Sequence, residues 1–119
     1  MATKAICTIG LERSATILKD DINYTAVGTD TTSPTIADVK LGAETARKLP
    51  AKVITQGKMF QIRTNFLNAN LPAVAKEWGW FMDGTEAADS GNLLAHILNH
   101  FEKGVYDLML ILEVRMTEA

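Results

Sequence analysis

The stretch Lys58-Met59-Phe60-Gln61-Ile62-Arg63-Thr64-Asn65-Phe66 decides the fold class. In an extended chain successive side chains point to opposite faces. Phe60, Ile62, Thr64 and Phe66 then share one face, expected to be inward, while Met59, Gln61, Arg63 and Asn65 share the other. Upstream, Ala51-Lys52-Val53-Ile54-Thr55 is a second β-prone run, and Gln56-Gly57 between the two predicts a hairpin with a two-residue turn.

Working outward, the break Asn68-Ala69-Asn70-Leu71-Pro72 precedes Val74 to Met82, which reads as a strand ended by Asp83-Gly84. A polar loop runs to Gly91, followed by the apolar run Leu93 to Leu98. The last strand is expected around Tyr106 to Met116, apolar on both faces at its centre, although Leu108, Ile111, Leu112 and Arg115 also fit a helical spacing. Towards the start, Ile9, Leu11, Ala15, Ile17 and Leu18 predict a short helix over residues 9 to 19, with Thr8 as N-cap and Lys19-Asp20-Asp21 as its end. Tyr24 to Val27 has strand composition. Gly28 to Gly42 is rich in turn formers and reads as a long loop, of the length that is usually functional or pinned by a neighbour. The expected fold is mainly β, a β-rich α+β antiparallel β-sandwich with one short N-terminal helix and a long loop at residues 28–42. No repeat or linker divides the chain, so residues 1–119 are read as a single domain.

Composition narrows the function. The chain is 47% hydrophobic and 22% charged, a balance that belongs to folded proteins. Twelve basic and fourteen acidic residues, with no run of either sign, argue against nucleic-acid binding. Met1 to Cys7 lacks a long apolar stretch and Leu108 to Leu112 is too short to span a bilayer, so no membrane association is expected. Cys7 stands alone and is expected to be a small apolar packing residue.

Four segments, taken in order, resemble a known family: Tyr24-Thr25-Ala26-Val27-Gly28-Thr29-Asp30-Thr31-Thr32-Ser33-Pro34, Leu41-Gly42-Ala43-Glu44-Thr45-Ala46-Arg47, Glu77-Trp78-Gly79-Trp80-Phe81 and Gly91-Asn92-Leu93-Leu94-Ala95. Their order and spacing resemble the N-terminal attachment domain of phage tail-collar fibre proteins and its short stand-alone phage virion relatives. Asp30 departs from that pattern where a glycine is usual, and Trp78 and Trp80 where smaller aliphatic residues are. The resemblance implies a non-enzymatic structural protein of a tailed bacteriophage virion, assembled in the host cytoplasm. It would be a tail, collar, baseplate or fibre-attachment component that docks as a homo-oligomer onto other virion subunits. A capsid decoration protein is the alternative, and a host-glycan binding module a further one.

Three groups of residues are candidates for a site. Glu44, Arg47 and Glu77 are expected to form a structural ion cluster in which Arg47 reaches across to Glu77, fixing register rather than performing acid/base chemistry. Trp78 and Trp80 point to one side of their strand, either as core or as interface anchors. Thr29, Asp30, Thr31 and Pro34 on the long loop are expected to touch an adjacent subunit. His96 and His100 share a face on a helix but lie about 13 Å apart on a strand, which is the reading taken here, so no metal is expected. The loop lacks the endings of phosphate-cradling motifs, no nucleophile signature is present, and no cofactor is expected.

Overall fold

A computed structural model describes residues 8–117. Cys7 lies outside them, and so does the Thr8 side chain expected to cap the first helix. The elements in chain order are α1 (Thr8–Asp21), β1 (Ile22–Gly28), β2 (Glu44–Lys48), β3 (Lys52–Gln56), β4 (Met59–Phe66), a single 3-10 turn (Asn68–Asn70), β5 (Val74–Met82), β6 (Asn92–Glu102) and β7 (Leu108–Arg115). They build two antiparallel sheets, β2-β1-β5-β6 and β3-β4-β7, which make a β-sandwich.

Period-two alternation explains the core. Phe60, Ile62, Thr64 and Phe66 are all fully buried. From the opposing sheet Val27, Trp78 and Trp80 meet them, with the Phe66 and Trp78 rings edge to face at 5.8 Å. Between the sheets the hydroxyls of Thr25 and Thr64, both buried, share a hydrogen bond of 2.8 Å. Helix α1 packs Leu11, Ala15 and Leu18, spaced four and three apart, towards this core and leaves Ile9 and Ile17 in solvent.

The helix runs on to Asp21, past the expected end at residue 19. Asp20 and Asp21 are exposed, so their charges cost the helix little, and the backbone changes only where Ile22 is drawn into the ladder opposite Met82. Gln56 stays in β3 opposite Met59, so the hairpin turn is Gly57-Lys58, with Gly57 at φ 59° as the first residue of a II′ turn requires. The loop after Gly28 is present, but β2, at its far end, had no signal: Glu44-Thr45-Ala46-Arg47-Lys48 carries one apolar side chain and is a strand because β1 offers it a partner.

A second, smaller cluster lies on the other face of the four-stranded sheet. Ala26, Phe81 and, from the long loop, Leu41 are buried there, flanked by Tyr24 and Leu93. Leu41 occupies the space over Gly79: a Cβ on that glycine would stand 2.6 Å from Leu41 Cδ2. The long loop is thus folded down over the sheet.

Candidate functional site

The base of the long loop is organised by one carboxylate. Glu77, on β5, pairs with Gly28 at the point where the chain leaves β1, and Gly28 pairs with Glu44 where the chain returns. The Glu77 side chain is fully buried. Its Oε2 accepts the backbone N–H groups of Asp30 (2.9 Å) and Ala43 (2.8 Å), and its Oε1 accepts that of Gly42 (2.8 Å). Both ends of the loop are therefore tied to one side chain, and Thr29 N–H to Ala43 C=O, 3.1 Å, closes the neck. Gly28 makes the approach possible, since a Cβ there would lie 2.6 Å from Glu77 Oε2 and 2.5 Å from the Ala43 carbonyl.

A fourth contact extends the clamp. His96 on β6 places Nε2 3.0 Å from Glu77 Oε1 and Nδ1 2.9 Å from Asp38 Oδ2. Each ring nitrogen faces a carboxylate oxygen, so each contact takes one proton. Asp38 sits near the loop tip and accepts the N–H and hydroxyl of Thr35 at 2.9 and 3.0 Å. Those bonds, the Thr35 backbone N–H first and the His96 ring next, hold the Asp38 carboxyl below its ordinary pKa. At the other end Asp30 Oδ1 accepts Thr31 N–H at 2.8 Å and, two residues on, Thr32 N–H at 3.4 Å, its carboxylate lying where a Cβ on Gly42 would clash. Asp30 thus shapes the loop through its side chain.

Arg47 does not reach Glu77. It pairs with Glu44 through two hydrogen bonds, 2.8 and 2.7 Å, and both side chains are almost wholly buried. Glu44 and Arg47 are three apart, which on a regular strand would put them on opposite faces. The ladder skips Thr45 between Val27↔Ala46 and Gly28↔Glu44, and this bulge turns Glu44 to the side of Arg47. Arg47 Nη1 also donates to the Thr85 and Ser90 carbonyls, and the guanidinium stacks over Tyr24 and Phe81. The expected single cluster is two clamps: Glu77 holds the long loop, and Glu44 with Arg47 holds the connection from β5 to β6.

Trp78 and Trp80 are each 1% exposed, so neither ring is offered to a partner or a sugar on this chain; Trp78 Nε1 donates to Asn99 C=O at 2.9 Å. Thr29 and Asp30 are half-buried in the loop base, Thr31 and Pro34 are exposed, and beyond them Ile36 and Val39 project into water. His96 and His100 both lie on β6, and among the described residues no group of three or more His, Cys, Asp or Glu side chains could hold a metal ion. In the sequence His96 reads as an ordinary histidine, and neither Asp38 nor Ile36 stands out. Nothing local marks a histidine that bridges partners 58 and 19 positions away.

Both nitrogens of His96 and both oxygens of Glu77 are engaged within the protein, so these two side chains restrain the loop. No protein-family model matches the chain, and no curated protein matches it.

Proposed function

We propose that this chain is a structural component of a tailed bacteriophage particle, in its tail, collar, baseplate or fibre-attachment region, and that it acts by docking the clamped loop at residues 29–43 against a neighbouring virion subunit. The observation that carries the docking reading is Ile36, fully exposed on a turn tied through Asp38 and His96 to Glu77. An apolar side chain held in water on a restrained loop loses little further entropy on association, and burial of its surface supplies the driving force.

The phage assignment draws on the four ordered segments, and their shared residues have a joint task. Gly28, Glu44, Arg47 and Glu77 form or make room for the two clamps, and Gly79 makes room for Leu41 beneath the long loop. A resemblance concentrated in residues that hold these two connections supports a common mode of docking more than an accidental likeness.

The test is incorporation. Particles produced from the genome that encodes this chain are purified, labelled with an antibody against it and imaged. Label at the tail, together with loss of incorporation by Ile36→Asp and Val39→Asp variants that melt like the parent, supports the reading. Absence of the chain from particles overturns it, and label over the capsid shell replaces the tail position with shell decoration.

A further inference from the structure

Two sheets leave four edge strands, and three of them are blunted against pairing with another chain. Strand β2 has five residues, four of them polar or charged, and a bulge in its ladder; β3 is equally short and is flanked by α1; β6 shows two register shifts against β5 and carries Asn92, His96, Asn99, His100 and Glu102. Such features are how edges are kept from adding strands. Strand β7 is longer than β2 and β3 and regular, and its only charged side chains are Glu113 and Arg115 near its end. It runs eight residues in unbroken register with β4, without proline, lysine or bulge.

The free side of β7 can be assigned residue by residue. Met116 N–H donates to Lys58 C=O, so the even-numbered residues of β7 bond to β4. In an antiparallel ladder the alternate residues face the other way. Met109, Ile111, Glu113 and Arg115 therefore turn both backbone groups to the edge, where no strand lies among the described residues. The core is also unfinished there. Phe60, Ile62, Thr64 and Phe66 on β4 are fully buried, whereas their partners Val114, Leu112, Leu110 and Leu108 on β7 are only half-buried.

We propose that β7 pairs antiparallel with β7 of a second copy about a two-fold axis at Val114, joining two three-stranded sheets into one. The occupant follows from the charges. With Val114 opposite Val114 of the second copy, Glu113 faces Arg115 twice, and Leu112 faces Met116 on the core side. Within one chain Glu113 and Arg115 already lie 3.7 Å apart and exposed. The pairing thus sets four charges in a square of alternating sign. Moving the axis by one residue either way puts Glu113 directly against Glu113 or Arg115 against Arg115, and moving it by two, to Leu112, sets Glu113 against Ile111 and Arg115 against Met109 with neither charge paired, so only the axis at Val114 pairs both. A strand reading minus then plus towards its C-terminus complements its own antiparallel image, and this selects a second copy over an unrelated strand.

The contact deepens the docking reading, on which it rests for its use in a particle, but lies on a different surface from the loop. Light scattering across a concentration series tests it with the full chain. The parent is expected to reach twice the mass of one chain. Glu113→Arg and Arg115→Glu, each alone, set like charges opposite and raise the dissociation constant roughly tenfold or more. Mixing the two variants restores a dimer, now a heterodimer, because arginine again faces glutamate at both positions. Both side chains are exposed, so unchanged melting identifies the effect as one on association. A monomeric parent overturns the proposal, as does a dimer that neither reversal weakens, and in both cases incorporation into particles through the loop is unaffected.

Discussion

Glu77→Gln removes the charge that closes the long loop while keeping the shape of the side chain. Its consequence follows from counting donors. Oε2 accepts two backbone N–H groups, and Oε1 accepts one together with His96 Nε2. A glutamine offers one carbonyl oxygen, and its amide nitrogen must face either the Asp30 and Ala43 donors or the Gly42 donor. At least one backbone N–H therefore loses its acceptor at a site where the side chain is fully buried. An orphaned buried polar group costs about 1–3 kcal/mol, and bonds to a charged acceptor are worth more than neutral ones, so the expected loss is about 2–4 kcal/mol. For a chain of this size that lowers the melting temperature by roughly 10 °C. Thermal unfolding by circular dichroism reads the global effect, and amide hydrogen exchange at Asp30, Gly42 and Ala43 reads the local one. Glu102→Gln, at an exposed pair with His100, is the control and should change neither. A Glu77→Gln protein that melts with the parent and keeps those three amides protected would refute the clamp.

Other consequences can be checked in the same way. Glu44→Ala leaves Arg47 buried without its carboxylate and should destabilise by about 3 kcal/mol, at the low end for a broken buried pair because the Thr85 and Ser90 carbonyls remain; denaturant unfolding measures it. Thr25→Val or Thr64→Val alone should cost about 1–2 kcal/mol by stranding the other hydroxyl, and the double variant less than the sum; strict additivity would show that the hydroxyls do not interact. The Asp38 carboxyl has a folded-state pKa below its ordinary value, so its contribution is present above the ordinary carboxylate range and is lost as pH falls through the lowered one. Loop anchoring should hold at neutral pH and fail on acidification below about pH 4, read as loss of protection at the Thr35 amide; constant protection to pH 2 would contradict it.

The strands that alternate cleanly could be found without any tertiary information, because each reports burial on one face. Phe60 to Phe66 named its own core side, and Val74 to Met82 was delimited by the turn residues around it. Strand β2 could not be found that way. Its side chains are polar, and what holds it is the ladder with β1, a pairing across the intervening loop. The tryptophans show the limit of residue type as a guide: aromatic pairs serve cores and interfaces alike, and only the opposing sheet puts Trp78 and Trp80 inside.

For the site, the long loop and the importance of Glu44, Arg47 and Glu77 were legible, while the partnership among them was not. The expected bond from Arg47 to Glu77 failed because a one-residue bulge at Thr45 turns Glu44 towards Arg47 and leaves Glu77 to the loop amides. Sequence by itself determined the β-rich class, the hairpin, the loop and the inward face of β4, since these depend on composition and on a period of two. Tertiary structure alone decided that Glu77, His96 and Asp38 form one clamp, because backbone N–H groups have no signature in side-chain identity and hydrogen bonds over 19 to 58 residues exist only once the sheets have set the distances.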